Sequence, residues 1–251
     1  MKFICNDGQV YFCKYRLTSK IEELDCLIYE VIGHFLLKSL DIPTPDIALV
    51  ELIERVFTKK DIPRNCKYAK PLTICFGSKE VKNANLISGL ESVVDAHQTL
   101  CDPYDLLRIA IFDLWVDNAD RGKNNNYNLL TSSYENKLKV WAFDHAFIFG
   151  GIPKLRIFNP NFQPIIQNNL FTAPYFSTVL RQLNPQKCME VATQFIDNLV
   201  NSTSVLDSAF EQIPENWQVY PILKIKIRNF LLDSQRLKTI EKLTFQYLSK
   251  Q

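Results

Sequence analysis

The residues best suited to chemistry are carboxylates and carboxamides that concentrate in two short segments. Asp120 begins a polar stretch in which Asn125 and Asn126 follow after about five residues, and Asp144 comes directly after an apolar run. Such hard oxygen ligands suit Mg²⁺ that keeps part of its water shell and binds a nucleotide phosphate, and they suit zinc poorly. An Asp, a following Asn and a second Asp after intervening strands is the arrangement of a phosphotransfer site, in which the first Asp orients the accepting hydroxyl and the others hold the metal.

A structural interpretation of the same residues competes with this one. Loops rich in Asp and Asn commonly form only turns and helix caps. Their position directly after a buried helix favours function, since functional residues often lie on loops held by a rigid scaffold. Lys14 adds support, because a lysine on an otherwise apolar strand face requires a buried anion as its partner. The alternative for Lys14 is a surface side chain whose ammonium group reaches solvent.

The elements around the two segments predict that they meet. A helix is expected from Asp102 to Asp117, with Asp102 as its cap and Pro103 at its first position. Its apolar residues lie nearly all round the axis, which indicates a buried central helix. Two short strands, 129–130 and 138–143, then return the chain toward Asp144, and a hairpin places its two outer ends side by side.

The N-terminal part is predicted to be mostly β. A turn at Gly8 leads into a strand over 9–15 in which Val10, Phe12 and Lys14 share one face. A helix is expected to follow from a capping box of Ser19 and Glu22 to about Leu40. We further predict strands over 47–57 and 70–76, a turn over 77–80, and helices over 176–183, 188–201, 205–212 and 220–248.

Composition excludes several classes of protein. The chain has 251 residues with a net charge of +2, which gives no electrostatic argument for a nucleic-acid or membrane surface. It has only 7 glycines and lacks a glycine-rich phosphate loop, so side chains and metal would have to hold a nucleotide. The 7 cysteines form no C-x-x-C pair, which favours buried, reduced thiols, and the absence of a signal peptide or membrane span favours a cytoplasmic protein.

Five motifs, in this order, resemble those of the HipA-like kinase family. The first half of the chain contains Tyr11-Phe12-Cys13-Lys14, then Tyr29-Glu30-x-Ile32-Gly33, then Leu40-x-Ile42-Pro43-x-Pro45, then Phe76-Gly77-Ser78. The catalytic-type segment runs from Phe112-Asp113-Leu114-Trp115 through Asp120-Arg121 and Asn128-Leu129-Leu130 to Phe143-Asp144-His145. The Asp120-Arg121 segment is also distantly similar to the catalytic loop of phosphatidylinositol kinases.

The resemblance implies an α+β, two-lobed, protein-kinase-like fold with ATP and Mg²⁺ between the lobes. A small β-rich lobe with one main helix would occupy 1–82, and a mostly helical catalytic lobe would occupy 83–251. It further implies a protein substrate or partner protein.

The resemblance also implies a role for each site residue. Lys14 would contact the α- and β-phosphates and pair with Glu30. Asp120, followed by Arg121, would be the catalytic base, and Asp144 the metal ligand. The nucleotide would also lie close to Phe76, Gly77 and Ser78.

Three departures from the family pattern leave alternatives open. Glu30 lies away from the apolar stripe of its helix, so it either faces the cleft or is a solvated charge. The loop after Asp120 is one residue longer than usual, so the metal-binding amide is Asn125, which we favour, Asn126 or Asn128. Ala146 stands where the family usually has glycine, which motivates the alternative of a catalytically silent module that binds a protein partner.

A third reading is a two-metal phosphoesterase that uses Asp117, Asp120 and Asp144. His145 is expected to orient its loop by hydrogen bonding, while His34 and His97 are expected on helix surfaces.

Overall fold

The chain combines two small antiparallel sheets with a larger set of helices. The structure, a computed structural model, describes residues 1–54, 66–87, 93–122, 127–151 and 170–250. Among these, the strands are β1 Lys2–Ile4, β2 Val10–Lys14, β3 Ile47–Glu51, β4 Ile74–Lys79, β5 Asn85–Leu86, β6 Leu129–Tyr134 and β7 Lys137–Ala142. The α-helices are α1 Leu24–Ser39, α2 Ala96–Thr99, α3 Asp105–Val116, α4 Pro174–Leu180, α5 Pro185–Ser202, α6 Leu206–Glu211, α7 Leu223–Leu232 and α8 Ser234–Leu248. The α+β composition is confirmed, whereas the two-lobed arrangement and the boundary near residue 82 stay predictions.

The first sheet has the strand order β1-β2-β4-β3, and the second has β5-β6-β7. In the first sheet, Lys14 lies opposite Phe76 and Phe12 lies opposite Ser78. Since side chains alternate between the faces of a strand, these four residues share one face of the sheet. Gly77 therefore belongs to the other face, where an added Cβ would come within 2.8 Å of a Val50 methyl group.

Strand β4 corrects two predictions. It begins at Ile74, later than the strand predicted over 70–76. It continues through Lys79, so the predicted turn over 77–80 is wrong. Gly77 reads as a turn residue in the sequence, but here glycine is needed for close packing against the neighbouring strand β3. The preceding strand is predicted over 47–57, and β3 runs from Ile47 to Glu51, whereas residues 55–57 lie outside the described residues.

Helix α1 begins differently from its prediction. A short 3-10 turn, Ile21–Glu23, precedes the helix, and neither start has a side-chain cap, so the capping box of Ser19 and Glu22 is wrong. The Glu23 carboxylate instead accepts hydrogen bonds from the backbone N–H groups of Leu17 and Thr18 and from the Thr18 hydroxyl. The Glu23 carboxylate thus holds the residues that precede the helix, and it does not cap the first turn.

Helix α3 is the buried central helix that the sequence predicts. It begins at Asp105, later than predicted, and the Asp102 carboxylate accepts a hydrogen bond from the Tyr104 N–H just before it. The helix ends at Asp117, which adopts left-handed backbone angles of φ 49° and ψ 64°. This sharp end turns the chain from a helix that is buried except at Arg108 directly into the polar segment that contains Asp120.

The C-terminal helices fasten both α3 and the first sheet. The predicted helix over 220–248 is interrupted at Asp233, whose carboxylate caps α8 by accepting from the Arg236 N–H. The buried Arg236 donates to the Leu114 and Trp115 carbonyls at the end of α3. Trp217 lies just before these helices, and its indole N–H donates to the Ile74 carbonyl at the start of β4.

Most of the apolar side chains form one core around α1 and α3, and a smaller cluster lies behind the first sheet. All seven cysteines are free, and four of them are buried. Within the described ranges, no helix has the length and apolar character needed to cross a bilayer.

Candidate active site

Three charged side chains meet on the inner face of the first sheet. Lys14 Nζ lies 2.6 Å from Glu30 Oε1 on α1 and 2.6 Å from Asp144 Oδ1 after β7. Glu30 is buried, whereas the side chains of Lys14 and Asp144 are 35% and 28% exposed. The strand, the helix and the loop after β7 therefore each contribute one charge, and two of the three remain accessible to a ligand.

The charges in this group alter one another's protonation. Burial alone would lower the pKa of Lys14, but the negative charges of Glu30 and Asp144 raise it above its ordinary value. Burial raises the pKa of Glu30, and the Lys14 charge opposes this. Lys14 is therefore a firmly held cation, and one lysine shared by two carboxylates leaves the group short of positive charge.

A cavity of about 710 Å³ opens beside this group. Phe12, Phe76 and Ser78 line it from the sheet, and Leu130 and Phe143 line it from the hairpin β6–β7. His34 also lines the cavity and is only partly exposed, so its predicted place on a helix surface is wrong, whereas His97 is exposed as predicted. The pKa of His34 is lowered to about 4, and burial is the largest cause. The cavity joins an apolar region to the charged group.

The polar segment after α3 is organised by Arg121, which is completely buried. Its Nε donates to Asp113 Oδ2 at 2.7 Å, and its Nη1 donates to the carbonyls of Tyr127 and Asn128, each at 2.6 Å. Burial raises the pKa of Asp113, and the positive charge of Arg121 opposes this. Arg121 therefore links helix α3 to the start of β6 and holds the polar segment between them in place.

Asp120 lies on the exposed side of the same segment. Its Oδ2 accepts a hydrogen bond from Asn128 Nδ2 at 3.1 Å, and its backbone N–H donates to Asn118 Oδ1 at 3.2 Å. The Asn118 amide in turn donates to Asp113 at 2.9 Å. The Asn128 amide therefore orients the Asp120 carboxylate, while Asn118 holds the Asp120 backbone, and the residue remains partly accessible.

The two polar segments come together as the hairpin predicts. Leu129 pairs with Ala142 across β6 and β7, and the Phe143 N–H donates to the Asn128 carbonyl. The residues directly after the two carboxylates also meet, with Arg121 Nη2 lying 3.2 Å from Nε2 of the buried His145. Burial, followed by the charge of Arg121, holds the pKa of His145 well below its ordinary value.

The predicted site residues have different placements. Asp144, Phe76 and Ser78 line the cavity together with Lys14, while Gly77 faces the opposite side of the sheet. The predicted metal ligands Asn125 and Asn126 lie outside the described residues. Over the ranges that the structure describes, no group of three or more His, Cys, Asp or Glu side chains could hold a metal ion.

Sequence reasoning missed residues that support the site from behind. Asp113 lies in the middle of the apolar helix α3, and a carboxylate there is a signal that a buried cation must be its partner. Gly33 is the second, because a Cβ at this position would lie 2.7 Å from the Cβ of His145. The spacing of Gly33 on α1 gave no sign of this contact, which depends on how the chain packs.

Comparison with known proteins gives the family of the chain. A search of curated proteins found no match. The family model of HipA-like kinases matches residues 2–245, and this match confirms the resemblance seen in the motifs. Because the match spans nearly the whole sequence, the chain belongs to the HipA-like kinase family.

Proposed function

We propose that the protein is an ATP- and Mg²⁺-dependent kinase that transfers phosphate to a hydroxyl group, that of a serine or threonine in a protein. One observation carries the proposal. Lys14 Nζ lies 2.6 Å from both Glu30 and Asp144, at the wall of a cavity of about 710 Å³. A cation held by a buried carboxylate beside an accessible one can bind phosphate oxygens and keep a metal ligand within reach.

The donor chemistry at the cavity fits both groups that the family implies. Asp144 offers a partly exposed carboxylate, a hard oxygen ligand suited to Mg²⁺, and Asn125 or Asn126 would add an amide oxygen. Lys14 would contact the phosphates, and the apolar surface near Phe76 and Ser78 would receive the base. When bound, the metal supplies charge neutralisation on the phosphate oxygens.

The transfer itself would be carried by Asp120. The oxygen of the acceptor hydroxyl forms a bond to the γ-phosphorus, the bond from that phosphorus to the bridging oxygen of ADP breaks, and the hydroxyl proton passes to the Asp120 carboxylate. Asn128 holds this carboxylate in orientation through its amide N–H. Most of the rate would come from positioning and electrostatic stabilisation.

A pair of substitutions tests this assignment. We expect Asp144→Asn to abolish Mg²⁺-dependent ATP binding, because the carboxylate ligand is lost. We expect Asp120→Asn to keep binding and to lower transfer by at least about 10²-fold, because the base is lost. Binding is measured by thermal shift with ATP, with Mg²⁺ and with both, and transfer by release of ADP with a mixture of candidate protein acceptors.

Asp46 provides the matched control, since its side chain is exposed and its carboxylate pairs with Lys38 on the protein surface. Asp46→Asn should leave both measurements unchanged. Wild-type turnover in both site variants would overturn the assignment.

A second candidate function has its own supporting observation. The direct ion pair of Lys14 with Asp144 engages the carboxylate that would hold the metal. In a catalytically silent module that binds a protein partner, this pair would persist with nucleotide present. The thermal shift then gives a stabilisation by ATP that does not depend on Mg²⁺, together with no transfer of phosphate.

A further inference from the structure

We propose that the His145 side chain is a positioning residue that couples the nucleotide side of the site to the segment that carries Asp120. This inference rests on the proposed function, because it assigns how two parts of that same site are held in register. Asp144 and Asp120 share no described contact. His145 directly follows Asp144, and it touches the support of Asp120.

The ring of His145 contacts the cation that organises the Asp120 segment. Its Nε2 lies 3.2 Å from Arg121 Nη2, and an arginine can only donate, so Nε2 accepts this hydrogen bond. The ring proton therefore resides on Nδ1. The rings of Phe112 and His145 pack edge to face with centroids 5.9 Å apart, and His145 is 2% exposed. Packing thus fixes the one orientation in which the ring meets Arg121.

Arg121 passes this orientation on to the catalytic segment. It is bound to the carbonyls of Tyr127 and Asn128, and the Asn128 amide is bound to Asp120. A chain of contacts therefore runs from His145 through Arg121 and Asn128 to the carboxylate of Asp120. A shift in the guanidinium changes the position of the carboxylate that receives the proton.

The backbone of His145 makes the opposite connection. Its N–H donates to Glu30 Oε2 at 2.8 Å, while the other oxygen of Glu30 binds Lys14. Gly33, one turn later on α1, leaves the space that the His145 Cβ occupies. The backbone of this residue thus serves the Lys14 group, and its side chain serves the Asp120 segment.

This division predicts separable effects. A substitution that keeps the Cβ but removes the ring acceptor should leave the Glu30 contact and nucleotide affinity intact. It should lower the rate of transfer, because a displacement of about 1 Å in a catalytic group can cost about 10²-fold. A residue that serves only stability would change affinity and rate together.

The test compares His145→Leu, which removes the acceptor, with His145→Gln, whose amide oxygen can still accept from Arg121. For each folded variant, the Kd of ATP with Mg²⁺ is measured by calorimetry and kcat by ADP release. We expect an unchanged Kd in both, a kcat lower by about 10–100-fold in the Leu variant, and a kcat within about 3-fold of wild type in the Gln variant. Equal losses in the two variants would overturn the inference.

Hydrogen exchange gives a readout that does not need turnover. The Leu variant should exchange faster than wild type at the backbone amides of Ala119 and Asp120, and at an unchanged rate along α1. No difference at these amides would overturn the coupling. Absence of turnover in wild type would instead overturn the proposed function, while the exchange result still decides the inference. If the Leu variant does not fold, His145→Asn replaces it, since its shorter amide does not reach Arg121.

Discussion

Asp113 and Arg121 form an ion pair in which both side chains are fully buried. Taking two charges out of water is costly, and the mutual attraction of a buried pair often does no more than offset that cost. The value of this pair therefore lies in orientation. Arg121 can hold the Tyr127 and Asn128 carbonyls only while Asp113 fixes its guanidinium.

Removal of one partner from this pair should be costly. Asp113→Leu leaves Arg121 as an uncompensated buried charge, and we expect the free energy of unfolding to fall by about 3–5 kcal/mol. Equilibrium unfolding in urea measures the change. The double variant with Arg121→Met as well should recover part of the loss, because no charge is then left unpaired. A single variant as stable as wild type would contradict the account.

Gly77 on strand β4 sets how closely β4 packs against its neighbour β3 in the first sheet. A Cβ on Gly77 would approach a Val50 methyl group to 2.8 Å and the Ala48 carbonyl oxygen to 3.2 Å, so β3 and β4 lie as close as glycine permits. The neighbours Phe76 and Ser78 point to the cavity on the other face. The position of the cavity wall thus depends on a glycine that does not line it.

Gly77→Ala should therefore be destabilising although it adds only one methyl group. Overpacking of this kind costs about 1–3 kcal/mol, because the strands must move apart. Addition of Val50→Ala removes the methyl group that is struck and should restore much of the stability. Urea unfolding of the single and double variants measures both effects, and equal stability of Gly77→Ala and wild type would be the contrary result.

The elements show what the sequence could predict. The buried helix α3, the hairpin β6–β7 and the meeting of their ends follow from apolar periodicity and turn spacing, which are local signals. The capping box at Ser19 failed because Glu23 binds the backbone before the helix instead of after its start. The turn at Gly77 failed because close strand packing and turns both require glycine. The break at Asp233 had a local signal, since Asp is a preferred helix cap.

Only some of the side-chain contacts at the site could be predicted from the sequence. Lys14 and Glu30 were expected as a pair from the family resemblance, and the structure places them in contact. The roles of Asp113 and Gly33 depend on which helices pack together, and no spacing along the chain encodes that choice.

The folded chain lowers the pKa of the partly exposed His34, and this gives the stability of the fold a pH dependence. The folded pKa of His34 is about 4, owing first to burial and next to the Lys38 charge, whereas Asp46 acts in the opposite direction. An unfolded histidine binds a proton below about pH 6.5. Protons therefore favour the unfolded chain as the pH falls from about 6.5 to 4.

This contribution can be isolated by comparison with His34→Phe. We expect wild type to lose about 1–3 kcal/mol more than the variant between pH 7 and pH 4. Urea unfolding at several pH values measures both slopes, and the difference removes contributions from other groups, such as Asp105, whose pKa is raised to about 6 mainly by burial. Identical slopes would contradict the burial of a neutral His34.

The contacts of Trp217 and Arg236 have a consequence for how the protein is made. On a ribosome, β4 and α3 emerge long before these two residues, so the Ile74, Leu114 and Trp115 carbonyls cannot accept from Trp217 and Arg236 until those residues have been synthesised. The partners are 121 to 143 residues apart along the chain, so synthesis at about 5–20 residues per second makes this a wait of about 6–30 seconds. The end of the helix that leads to Asp120 therefore gains the Arg236 contacts only after α8 has been synthesised, and we expect a nascent chain that stops before Arg236 to hold the Asp120 segment less firmly.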